Sequence, residues 1–369
     1  MTSVITIVGA RPQFIKAAVV SRALAARGDV HERLLHTGQH YDDRMSGVFF
    51  EELGLATPEW DLGVGSGPHG AQTARMLEGI EAILVEQRPD WVLVYGDTNS
   101  TLAGALAAAK LGLPVAHVEA GLRSFNRAMP EEINRVVTDH LADLLLAPTP
   151  QAMTHLAREG IAAGRCHLVG DVMYDSVVDL GERAAARRDL LAREGLAPGG
   201  YVLATIHRAE NTTSADQVVR ILGGLAAAAV ECPVVLPLHP RARALLEAAG
   251  SRFQPGPGLR LLEPVGYLDM LALERGARLV VTDSGGVQKE AFFQRVPCLT
   301  LRHETEWTEL VEAGWNRLVP PDSAETITAA VRAALHRPLP PEPPAPLYGG
   351  GTAGQAIAEL LAGGPPRVT

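Results

Sequence analysis

Leu279-Val280-Val281-Thr282-Asp283-Ser284-Gly285-Gly286-Val287-Gln288-Lys289-Glu290 reads as a short apolar strand over Leu279–Thr282, a turn with two adjacent glycines, and the opening of a helix over Val287–Gln294. The pattern recurs on both sides. Further strands are expected at Val4–Val8, Arg33–His36, Trp91–Tyr95, Pro114–Val118, Leu144–Ala147 and Cys166–Val169, then at Tyr201–Ile206, Pro233–Leu238, Leu259–Leu262, Pro297–Leu301 and Asn316–Val319. Helical spacing fills the intervals, as in Pro12–Arg27, Ala71–Glu86, Ser100–Leu111, Glu131–Leu145 and Ala215–Val230. Strands this short and apolar on both faces, alternating with helices, predict an α/β fold of parallel sheets with right-handed crossovers.

The series divides near Gly170–Asp175, which predicts two α/β domains. Residues 1–171 with a returning helix at 352–369 form one, and residues 172–351 the other. A Pro-rich spacer, Pro338–Pro346, precedes that last helix. The 47% hydrophobic content across 369 residues supports cores of this size and excludes disorder for the bulk of the chain. The formal charge of −9 leaves no basic footprint, so no nucleic-acid partner is expected. No apolar run is long enough for a membrane span, and the N-terminus lacks a basic leader region. Cys166, Cys232 and Cys298 are widely spaced and odd in number, which predicts small core residues and a cytoplasmic setting.

Chemistry-bearing residues collect where strands end. Ligands of doubly wound folds bind outside those carboxyl ends. Asp97 and Glu119 end apolar strands, where partial burial suits a carboxylate to proton transfer. Glu131 and Glu132 open a helix, where the dipole favours carboxylates and capping accounts for one of the two. His207 and His239 follow strands and are read as ligands or proton carriers, whereas His117 and His155 lie inside elements and are read as structural. At Ser284-Gly285-Gly286 a helix start offers amides to a diphosphate, with Glu290 placed to take ribose hydroxyls. Arg11 and Lys16 flank another helix start, where two cations point to a phosphate or carboxylate. No Gly-x-Gly-x-x-Gly, P-loop or metal-ligand cluster is present, so NAD, ATP hydrolysis and a metal have no support.

Taken in order, Gly9-Ala10-Arg11-Pro12, Thr37-Gly38-Gln39-His40, Gly96-Asp97-Thr98, His117-Val118-Glu119-Ala120-Gly121-Leu122-Arg123, Pro130-Glu131-Glu132, His207-Arg208, His239-Pro240 and Asp283-Ser284-Gly285-Gly286 resemble the non-hydrolysing UDP-N-acetylglucosamine 2-epimerases. The resemblance implies a glycosyltransferase-B-like fold of two Rossmann-like domains with the active site in the interdomain cleft, a homodimer, and a UDP-sugar substrate epimerised without cofactor or metal. It implies catalytic positions at Asp97, Glu119, Glu131 and His207, with the base on each face left open. It implies substrate-binding positions at Arg11, Lys16, Arg135, His239, Ser284, Gly285, Gly286 and Glu290, and an allosteric region at Gln39 and His40. Thr305-Glu306-Trp307-Thr308-Glu309 departs from the Thr-Glu-Arg-Pro-Glu of many members, an aromatic standing where an Arg is expected. That stretch is similar to a branch that includes UDP-2,3-diacetamido-glucuronate 2-epimerases. A retaining UDP-sugar glycosyltransferase is the alternative of a different class.

Overall fold

The computed structural model describes residues 1–39, 53–185, 188–343 and 346–365. The chain forms two compact units, one of residues 1–176 with 345–369 and one of residues 177–344.

In the first unit seven parallel strands lie in the order β3-β2-β1-β4-β5-β6-β7. They are β1 (Thr2–Val8), β2 (Val30–His36), β3 (Trp60–Asp61), β4 (Trp91–Tyr95), β5 (Val115–Val118), β6 (Leu144–Ala147) and β7 (Cys166–Leu168). The central strands β4, β5 and β6 are buried along their whole length, as strands covered on both faces must be. The two-residue edge strand β3 was absent from the sequence reading, because two residues carry no alternation. Cys166 is a second departure. It lies on the thinly covered edge strand β7 and is only partly buried, while Cys232 and Cys298 are core residues as expected.

Helices α1 (Arg11–Arg27), α2 (His69–Gln87), α3 (Asn99–Lys110), α4 (Pro130–Leu141) and α5 (Pro150–Arg158) connect these strands. Helix α1 begins at Arg11, so Pro12 is its second residue rather than its first; its missing N–H costs nothing there either. Thr98 and Thr149 cap α3 and α5 through their hydroxyls. Helix α6 (Val172–Ala185) spans the boundary between the units in sequence. The final helix, Ala353–Ala362, packs on α1, where Gly354 lies against Val19 with no room for a Cβ.

The second unit contains β8 (Val202–Thr205), β9 (Val234–Pro237), β10 (Leu259–Leu262), β11 (Leu279–Thr282), β12 (Cys298–Thr300) and β13 (Asn316–Leu318), all parallel, in the order β10-β9-β8-β11-β12-β13. A core of Val202, Leu236, Val281 and Leu299 with Ile221, Leu225 and Ile327 from covering helices holds one face. Tyr201, Leu203, Val235 and Val280 fill the other. In both sheets the strand order reverses once, between β1 and β4 and between β8 and β11. In open α/β sheets ligands bind in the crevice that such a reversal opens at the carboxyl ends of the strands.

Candidate functional site

The first unit's reversal point carries the loops Gly9–Ala10 and Gly96–Asp97. Gln13 fastens them. Its Oε1 accepts from the backbone N–H of Gly9 and Ala10 at 2.8 and 3.0 Å, and its Nε2 donates to Tyr95 O at 2.9 Å. A Cβ on Gly9 would fall 2.0 Å from Thr37 Oγ1, so only glycine fits.

Four candidate residues meet at this edge in two pairs. Arg135 on α4 grips Asp97, with Nη2 2.5 Å from Oδ2 and a side chain only 4% exposed. Asn134 on the same turn donates to Asp97 O at 2.8 Å. Lys16 on α1 pairs with Glu119. Glu119 is buried and adopts φ +68, a conformation that strains any residue but glycine and marks a carboxylate held in place by its surroundings. A Cβ on Gly96 would sit 3.3 Å from Lys16 Nζ and 3.4 Å from Glu119 Oε2, so this pair lies against the residue preceding Asp97. The sequence put Lys16 beside an anion, and the structure supplies a carboxylate.

Neither of the two glutamates opening α4 caps it, since the helix has no side-chain cap; Glu132 instead ties down the loop before it. It accepts from Ser124 N, Ser124 Oγ and Phe125 N at 2.9–3.0 Å and pairs with Arg135 at 2.9 Å. Burial works against its charge, but the Ser124 N–H and Arg135 outweigh that and hold its carboxyl below the usual range. Glu131 is half-buried beside it. Arg11 is half-buried at the start of α1. Gln39 faces α3, its Oε1 accepting from Ser100 N at 3.0 Å and Ser100 Oγ at 2.7 Å. His40 lies outside the described residues.

In the second unit the reversal point joins Ile206–His207 to Asp283–Ser284. Asp283 is fully buried. It accepts from the backbone N–H of His207 and Arg208 at 3.1 Å, from Asn211 Nδ2 at 3.0 Å and from His207 Nδ1 at 3.1 Å. Desolvation alone would raise its carboxyl; His207 and Asn211 override it and hold the group low. The His207 ring lies 6.3 Å from that of His239, whose own Nδ1 accepts from Arg241 N.

The helix that follows (α7, Gly285–Phe293) starts two residues before the expected Val287, so both glycines lie in its first turn, and Ser284 Oγ caps it by accepting from Val287 N. Glu290 is buried on it and accepts from Tyr267 Oη at 2.8 Å. Glu306 stands at the helix start, its Oε2 2.9 Å from Arg302 Nη1 and its Oε1 3.6 Å from Arg208 Nη2. Trp307, the aromatic that departs from the family pattern, lies under the buried Lys289, whose Nζ is 4.0 Å from the ring centroid. The sequence reading missed Gln13, Asp283 and Glu306 as parts of the site. Only Asp283 carried a signal, as an acidic residue ending an apolar strand.

Among the described residues no cluster of three or more His, Cys, Asp or Glu side chains is arranged for a metal, and no helix is long and apolar enough to cross a membrane.

Comparison with known proteins bears on this arrangement. The profile of the family described as UDP-N-acetylglucosamine 2-epimerase matches residues 22–362. A Pseudomonas aeruginosa UDP-2,3-diacetamido-2,3-dideoxy-D-glucuronate 2-epimerase is 48% identical over 362 residues, covering 97% of this chain and 99% of that protein. A Methanocaldococcus jannaschii UDP-N-acetylglucosamine 2-epimerase is 41% identical, with 96% and 97% covered. The crystal structure of a UDP-GlcNAc 2-epimerase from that organism, in complex with UDP-GlcNAc and UDP, superposes with a TM-score of 0.89 at 40% identity, covering 98% of this chain and 99% of that one. The fold is therefore α/β, as the strand–helix alternation predicts, and glycosyltransferase-B-like, as the resemblance implies.

Proposed function

We propose that the chain, which belongs to the UDP-N-acetylglucosamine 2-epimerase family and is a 2-epimerase, interconverts UDP-GlcNAc and UDP-ManNAc by eliminating UDP and adding it back. The observation that carries the reading is the pairing of Asp97 with Arg135 and of Glu119 with Lys16 on adjacent loops.

The sugar C2–H has no neighbouring carbonyl, so enolisation is unavailable. Loosening the C1–O bond builds oxocarbenium character and acidifies C2–H. A carboxylate takes the C2 proton, the C1–O electron pair leaves with UDP, and a C1=C2 double bond forms, giving 2-acetamidoglucal. A protonated group on the opposite face then returns a proton to C2 while the UDP oxygen attacks C1. Atoms and charge balance, and no redox step arises. We assign proton transfer to Asp97, Glu119, Glu131 and His207, with Arg135 and Lys16 fixing the first two. Ser284, Gly285 and Gly286 take the diphosphate on helix amides, and Glu290 takes the ribose hydroxyls. Arg11 and His239 complete the binding set. Proton transfer then rests mainly on domain 1–171 with 352–369, and UDP binding on domain 172–351. A homodimer in the cytoplasm belongs to the same reading, supported by the family resemblance and by three free cysteines.

A second substrate has its own support. The 48% identical relative acts on the diacetamido uronate, and Trp307 replaces the expected Arg. Incubation with each UDP-sugar in deuterated water decides between them. Deuterium is expected at C2 of the accepted sugar, and its absence from both overturns the reading.

A further inference from the structure

His117 has no solvent exposure, and both its ring nitrogens face oxygen acceptors. Nε2 lies 2.7 Å from Gly96 O, and Nδ1 lies 2.7 Å from Asp139 Oδ1. Asp139 is equally buried. Its other oxygen accepts from Gly121 N at 3.0 Å and pairs with Arg123 Nη1 at 2.7 Å. Gly96 immediately precedes Asp97, and Gly121 follows Glu119 by two residues. One buried chain of contacts therefore runs from the Asp97 loop to the Glu119 loop.

The far end is anchored as firmly. Gly121 O accepts from His155 Nδ1 at 2.9 Å, and a Cβ on Gly121 would strike Ala152 O at 2.5 Å. Arg123 is held in turn by Glu159 at 2.6 and 2.7 Å. Gly96, Glu119 and Gly121 all have positive φ, so neither loop relaxes into an ordinary extended path. Burial opposes the charge on Asp139, yet His117 and Arg123 hold its carboxyl below the usual range, which fits a permanent anchor.

We propose that His117 and Asp139 are positioning residues that set the two loops bearing Asp97 and Glu119 relative to each other, so that both carboxylates are registered on one substrate carbon. Neither touches the sugar in this reading. Proton transfer demands hydrogen-bond reach, and a misplacement of about 1 Å costs about 10²-fold in rate. A histidine that merely fills a core would affect stability alone.

The inference rests on Asp97 and Glu119 exchanging the C2 proton, and its test separates the two ideas. His117→Gln and the isosteric Asp139→Asn are assayed beside the unsubstituted protein with both UDP-sugars. The readouts are melting temperature, C2 deuterium incorporation, kcat and KM per folded molecule, and free UDP released per epimerisation. We expect kcat to fall about 10²-fold with KM within about threefold. UDP and glucal release should rise relative to epimerisation, because return of the proton fails after elimination. A lower melting temperature with kcat and UDP release per folded molecule unchanged overturns the proposal, Asp139→Asn deciding if His117→Gln does not fold. If the unsubstituted protein exchanges no deuterium with either sugar, the proposed function falls, and this inference with it.

Discussion

His207 presents Nδ1 to Oδ1 of Asp283 at 3.1 Å, and that carboxylate has no exposed surface. The carboxylate can only accept, so Nδ1–H donates and Nε2 becomes the edge turned outward from the pair. The imidazole side chain is 45% exposed, which leaves that edge open to a ligand. Asp283 also accepts two backbone N–H groups and the Asn211 amide, so its own orientation is fixed.

Asp283→Asn removes the charge and presents an amide that can donate where the carboxylate accepted. The His207 tautomer is then no longer imposed. We expect kcat to fall by about 10²-fold or more with KM for the UDP-sugar nearly constant, by analogy with the orienting carboxylate of hydrolase triads. Steady-state kinetics on the variant measure this, and an unaltered kcat would remove Asp283 from any orienting role.

Asp97→Asn keeps the shape and the Arg135 contact on one side but cannot carry a proton. The expected result is a kcat loss of at least about 10²-fold, the usual scale of an acid–base contribution, with modest change in KM. A variant defective only in KM would make Asp97 a binding residue.

The strand ends were legible because apolar runs stop abruptly at polar residues, and a doubly wound fold gives that stop a meaning. The reversal points were not legible, since strand order depends on pairing between distant segments such as β1 with β4 and β8 with β11. The same limit hid the partners. Glu131 and Glu132 are equivalent by position. Only the approach of the Ser124–Phe125 backbone and Arg135 makes Glu132 the structural one. His117 reads as an interior strand residue, and its importance lies in Asp139, Gly96 and Gly121, which no local spacing brings together.

The adjacent glycines at the start of α7 separate two constraints. A Cβ on Gly285 would lie 2.5 Å from Glu306 Oε1, on a carboxylate held by Arg302. A Cβ on Gly286 meets nothing closer than Ser284 Oγ at 3.8 Å. Gly285→Ala should therefore lower both the melting temperature and UDP affinity. Gly286→Ala should leave the melting temperature in place and weaken UDP alone, about tenfold, by obstructing close approach of the diphosphate. Calorimetric titration with UDP beside thermal melts reads both, and equal loss of stability in the two variants contradicts the argument.

Asp283, Asp139 and Glu132 are all held below their ordinary carboxyl values of 3.8, 3.8 and 4.5. A depressed native value means that the unfolded chain binds protons first as pH falls. The stability these groups contribute is fully present above about pH 5 and is lost progressively below about pH 4. Chemical denaturation at pH 6 and at pH 3.5 should show a marked fall, and Asp139→Asn should flatten it. A slope unchanged by that substitution would show that Asp139 does not titrate in unfolding.

Glu274 runs the other way. It has no solvent exposure, and among the described residues nothing donates a hydrogen bond to either carboxylate oxygen. Desolvation, reinforced by the nearby Glu290, pushes its carboxyl well above the ordinary 4.5. The unfolded chain therefore ionises first as pH rises. Native stability is undiminished below about pH 4.5 and declines as pH climbs toward the native value. Glu274→Gln is nearly isosteric, cannot ionise, and keeps a donor for Glu290. The variant should melt higher than the parent at pH 8, with the difference narrowing toward about pH 3.5, where the parent's carboxyl is largely neutral in both states. Thermal melts across that range provide the check. A variant no more stable than the parent at pH 8 would mean that Glu274 is not the strained carboxyl its burial describes.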